Sequence, residues 1–94
     1  MTKRVKWTRR AKAALAALVA WTSETDPDVA EALRNTITDR AEQLGRFPHL
    51  GPPSQRGTRK LLVTGTPYII IYRETWERVS VVGLWHHAQR KRSK

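Results

Sequence analysis

Arg59, Arg73, His86 and His87 are the side chains of this sequence best placed to do polar chemistry. A guanidinium grips a phosphate or carboxylate through two parallel N–H groups, and an imidazole exchanges a proton near neutral pH. Such a set could stabilise an anionic transition state and move a proton without a metal. There is no cysteine, which excludes disulfides, thiolate zinc sites and a thiol nucleophile. Neighbouring residues of a strand face opposite sides, so His86 and His87 do not make a metal pair, and neither a metal nor a cofactor is expected. Each arginine also has a structural use: Arg59 borders a proline-rich loop whose carbonyls it could satisfy, and Arg73 could serve at a sheet edge. Beyond the histidines stand Arg90, Lys91 and Arg92, a basic tail suited to an anionic surface.

The elements that must position these groups fit in 94 residues, enough for one hydrophobic core. We expect a single domain over 1–89 with a tail at 90–94. Lys and Arg total 18 against 8 acids, a net charge of +10, which points to contact with nucleic acid, a membrane surface or an acidic protein. The charge is uneven. Residues 1–23 carry no acid, six of the eight acids lie between 24 and 42, and 44–73 is again free of acids. The apolar stretch 11–21 is broken by Lys12, lacks a small-residue cleavage site and is too short to span a bilayer, so a cytoplasmic, membrane-free protein is expected.

Val5 and Trp7 sit at strand spacing ahead of Thr8, which can cap a helix carrying Ala11, Leu15, Leu18 and Val19 on one face. Asp26-Pro27 reads as an N-cap with proline at the first helical position, and Ala30, Leu33, Ile37, Ala41 and Leu44 form the stripe of a second helix ended by Gly45. The segment 47–54 holds three prolines and is a loop, anchored by Phe47 and Leu50. Strands follow over Arg59–Thr64, Tyr68–Arg73 and Arg78–His86, with Gly65-Thr66-Pro67 and the residues 74–77 as turns. Strict alternation along the last strand puts Val79, Val81 and Trp85 on one face and Val82, Leu84 and His86 on the other. The fold expected is α+β in the order β-α-α-β-β-β, an antiparallel sheet with a helical hairpin on one face. Its core draws on Leu15, Leu18, Leu33, Ile37, Leu44, Ile70 and Val81, with Trp7, Trp85, Tyr68 and Tyr72 as core aromatics and Trp76 exposed.

The helix hairpin, Phe47-Pro48 with Leu50-Gly51, Gly57-Thr58-Arg59, Thr66-Pro67-Tyr68-Ile69-Ile70 with Tyr72-Arg73, and Leu84-Trp85-His86 together resemble the RelE/ParE family of toxins, closer to the ParE-like branch. The resemblance implies a toxin of a type II toxin-antitoxin system, held inactive by an acidic, partly disordered antitoxin encoded beside it, in a higher-order complex. The charge balance is consistent with such a partner.

Two targets are known in that family, DNA gyrase and the ribosome. For a RelE-type, metal-independent ribosome-dependent mRNA endonuclease, the resemblance would make Arg59 and His86 catalytic. The sequence departs from that pattern: no tyrosine follows His86, and no Lys or Glu lies in 45–56 to act as a second base. Gyrase inhibition is therefore favoured, a binding activity more than an enzymatic one, with Arg73, Trp85, His87, Arg90, Lys91 and Arg92 as the target-binding residues. A plain nucleic-acid-binding module would explain the charge, but not the central apolar strand or the ordered motifs.

Overall fold

The computed structural model describes residues 2–87. Strand β1 (Arg4–Trp7) leads into α1 (Arg9–Ser23) and α2 (Pro27–Glu42), and after two short 3-10 turns come β2 (Arg59–Leu62), β3 (Tyr68–Glu74) and β4 (Arg78–His86). Both expected caps are present. The Thr8 side chain accepts from the Ala11 N–H, and Asp26 accepts from the Asp28 and Val29 N–H groups ahead of Pro27, each satisfying donors that a helix start leaves unpaired. The stripe of α2 runs on through a 3-10 turn at Gln43–Gly45.

The sheet order is β1-β4-β3-β2. β2, β3 and β4 pair antiparallel as expected, whereas β1 adds to β4 in parallel, making the sheet mixed. Parallel neighbours need a long crossover, and here the chain from β1 to β4 passes through both helices, β2 and β3; the hairpin itself returns to the start of β1, where the Lys3 N–H donates to the Gly45 carbonyl at 2.8 Å.

The core lies between the helices and one sheet face. Ala11, Ile37, Ala41 and Leu44 meet Leu61, Ile70, Tyr72, Val79 and Val81, all buried. Leu15, Leu18, Leu33, Trp7 and Tyr68 pack around them partly buried. Ile37, Leu44, Ile70 and Val81 are thus the fully enclosed members of the expected set.

Strict alternation fails along β4. Ile71 pairs with Gly83 but Tyr72 pairs with Val81, so Val82 is an extra residue in the ladder. Such a bulge reverses the facing of everything beyond it. Leu84 therefore joins Val79 and Val81 on the helix side, and Trp85 turns to the opposite face, 42% exposed rather than in the core.

The proline-rich loop is also held differently from expectation. Phe47 and Leu50 are exposed, and the anchors are hydrogen bonds to β2 and β3. The Gly51 N–H donates to the Tyr72 phenol at 2.9 Å, the phenol donates to the Pro48 carbonyl at 2.7 Å, and the Lys60 N–H donates to the Pro52 carbonyl. A Cβ on residue 51 would lie 2.4 Å from the Lys60 carbonyl oxygen, so only glycine admits this approach.

Candidate functional site

Adjacent residues of β3 send their side chains to opposite faces, and this sorts the arginines. Arg59 pairs across the ladder with Tyr72, so its side chain lies on the helix side, where its Nη1 donates to the Gly51 carbonyl at 2.8 Å. It therefore performs the structural task left open by the sequence. Burial raises the Tyr72 phenol above its ordinary pKa of 10.0, against the opposing pull of the Gly51 N–H and the Arg59 charge. The neutral phenol keeps the proton it donates to Pro48.

His86 pairs with Tyr68 at the other end of β3, with the two rings edge to face at 5.2 Å. Tyr68 and Tyr72 are four residues apart, so Arg59 and His86 are separated by about 13 Å along the strands and by two strand spacings across them. The structure does not bring them together.

The opposite face gathers a different set, at the edge where the start of α1 reaches it. Arg10 from the first turn of α1, Arg56 from the turn before β2 and Arg73 from β3 surround a shallow cleft of about 510 Å³, floored by Ile71, Val82 and Trp85. The indole of Trp85 lies over Gly83, with its nitrogen 3.5 Å from where a Cβ there would sit. All three arginines are exposed. Among the described residues the ion pairs involve Lys3 and His49 with Glu74, so no carboxylate neutralises the cleft.

Arg56 is held in a costly conformation. Its φ of 58° and ψ of 40° are left-handed, and Gly57 follows at φ 73°. A non-glycine residue there costs on the order of 1 kcal/mol and persists only when its surroundings enforce it. Arg73 supplies the enforcement, with its Nη1 donating to the Arg56 carbonyl at 2.7 Å. The Thr58 hydroxyl closes the same turn onto the Gln55 carbonyl.

Of the residues expected to bind a target, Arg73 and Trp85 line this cleft. His87 is exposed at the end of β4, tied through its N–H to the Pro67 carbonyl. Arg90, Lys91 and Arg92 lie outside the described residues. Sequence reasoning missed Arg10 and Arg56; the Arg56-Gly57 pair ahead of a strand was the available signal of a left-handed turn. Among the described residues no three His, Asp or Glu side chains gather as a metal site would require, and no helix is long and apolar enough to cross a membrane.

A family profile described as the ParE toxin of the type II toxin-antitoxin system parDE matches residues 5–91, nearly the whole chain. The chain belongs to the ParE toxin family. Among the relatives of this ParE-family toxin is Y4kP of Sinorhizobium fredii, 36% identical over 72 residues that cover 76% of this chain and 75% of the other. Its fold is similar to a chain of the chromosomal ParDE system of P. aeruginosa, with a TM-score of 0.81 at 22% identity over 90% of this chain and 96% of that one. It is also similar to one from the RelBE2 toxin-antitoxin complex of Mycobacterium tuberculosis, with a TM-score of 0.64 at 24% identity over 92% and 99%. At these identities the structural likeness speaks for the fold.

Proposed function

We propose that this ParE-family toxin acts by binding and inhibiting DNA gyrase, and that an acidic antitoxin neutralises it by covering the basic face of the sheet in a higher-order complex. The observation that carries the reading is the separation of Arg59 from His86, with the Arg59 guanidinium committed to the Gly51 carbonyl. Base, acid and phosphate grip would have to converge on one phosphodiester for RNA cleavage. An inhibitor that binds a protein needs a contact surface instead. The cleft of Arg10, Arg56, Arg73 and Trp85 fits that need, with arginine and tryptophan among the residues that dominate protein interfaces, and we assign His87, Arg90, Lys91 and Arg92 to the same target contact on their charge. In this reading 1–89 is the folded toxin unit, working in the cytoplasm without a cofactor.

The direct test is to add the purified chain to a gyrase supercoiling reaction and, separately, to programmed ribosomes. We expect loss of supercoiling and intact mRNA. Codon-specific mRNA cleavage with supercoiling untouched would replace gyrase by the ribosome as target.

A further inference from the structure

The outward face of α1 is built unlike the rest of this cationic chain. The helix buries Ala11 and packs Leu15 and Leu18 on the core. On the other side Ala13, Ala16, Ala17, Ala20 and Trp21 are all exposed, Trp21 at 71%. Their spacing of three and four places them along one stripe. No charged residue occurs between Lys12 and Glu24, whereas a solvated helix face ordinarily carries charge.

The ends of the stripe are charged with opposite signs. Arg9, Arg10 and Lys12 stand at its start, and Glu24, Asp26, Asp28 and Glu31 lie around its end, all exposed. This polarity opposes the helix dipole, which favours acids at the start and bases at the finish. The pattern therefore does not serve the helix itself.

We propose that α1 is a self-association surface on which two copies of this chain pack antiparallel about a twofold axis. With Ala16 and Ala17 nearest the axis, Ala13 of one copy meets Ala20 of the other, and Arg9 of one meets Glu24 of the other. Trp21 then covers the first turn of the second helix at Arg10, where a guanidinium can rest on the indole. Alanine allows the helix axes to approach to about 8 Å. The contact is isologous and closes on itself.

A second copy fits better than an acidic partner helix, because the stripe ends in four acids that such a partner would meet with like charge. The 15-residue helix offers about 22 Å of contact, so the dimer is weak, with a dissociation constant on the order of 10 µM.

Sedimentation velocity of the purified chain over a concentration series tests this. We expect a monomer–dimer equilibrium that weakens about tenfold when salt is raised from about 0.05 M to about 0.5 M, as screened charge pairs require. Ala16→Glu, at an exposed position, should abolish the dimer with the circular dichroism unchanged. Arg9→Glu and Glu24→Arg should each weaken it about tenfold, and the double variant should restore it. A chain that stays monomeric at about 200 µM, a dimer indifferent to Ala16→Glu, or a double variant no better than the singles would overturn the proposal. So would Ala16→Glu abolishing antitoxin binding by a monomeric chain, which would assign the face to the antitoxin.

Discussion

Arg59 and Arg73 stand one residue out of register on neighbouring strands, yet they lie on opposite faces of one sheet with different tasks. On the helix side Arg59, Tyr72 and Gly51 close a hydrogen-bonded knot that straps the proline-rich loop to the sheet. On the open side Arg73 stays exposed, borders a cleft that has no carboxylate among the described residues, and bonds to the Arg56 carbonyl, which fixes Arg56 at the rim. The same residue type is structural where burial and carbonyls surround it, and available for a partner where solvent and other cations do. Stability should therefore reside on one side and target binding on the other.

The largest expected effect is on the knot. Tyr72→Ala removes a fully buried ring and should cost about 3–5 kcal/mol in denaturant unfolding, while Tyr72→Phe should cost about 1–3 kcal/mol by leaving the buried Gly51 N–H unpaired. A Tyr72→Phe variant as stable as the parent would show that water replaces the phenol and that the knot is not structural.

On the open side, Arg73→Ala should weaken the proposed gyrase inhibition about tenfold or more, equivalent to about 1.4 kcal/mol, with a much smaller change in stability. Equal losses of stability and potency would erase the distinction between the faces.

Arg56→Gly sharpens the comparison further. Glycine accepts the left-handed conformation without strain, so stability should hold or rise by up to about 1 kcal/mol, while the titration of gyrase inhibition shifts several-fold toward weaker binding.

The smallest effect concerns Glu74, which joins Lys3 and the loop residue His49 through contacts of 2.6 Å each. The Lys3 ammonium, more than His49, holds the Glu74 carboxyl below its ordinary value of 4.5. A depressed folded-state pKa stabilises above the unfolded value, and the gain is lost as pH falls through the folded one. The advantage of the parent over Glu74→Gln, less than about 1 kcal/mol, should therefore be present above about pH 5 and vanish in more acidic buffer. A difference that persisted once the Glu74 carboxyl is protonated would refute the pairing.

Much of this fold was legible in the chain, because its signals are local. Thr8 and Asp26-Pro27 mark helix starts whose unpaired N–H groups they satisfy, and the β-branched run at 69–71 belongs to a strand enclosed on both faces. The parallel entry of β1 was not legible, since nothing in Arg4–Trp7 encodes which neighbour it meets. The bulge at Val82 had a local signal that strict alternation passes over: Gly83 beside it is an isolated glycine inside a strand, which often marks a bulge. That one extra residue moved Trp85 from the expected core to the cleft. Arg10 and Arg56 were missed because they are distant in sequence and joined at one site by the sheet.

The most direct test of the two-faced account is the gyrase inhibition constant of Arg59→Gln set beside that of Arg73→Gln, both measured at a temperature where each variant is folded. The account predicts that Arg59→Gln stays within about twofold of the parent despite lower stability, and that Arg73→Gln loses at least about tenfold. A folded Arg59→Gln protein that has lost its toxic activity, with Arg73→Gln unaffected, would contradict it and return the chemistry to the helix side of the sheet.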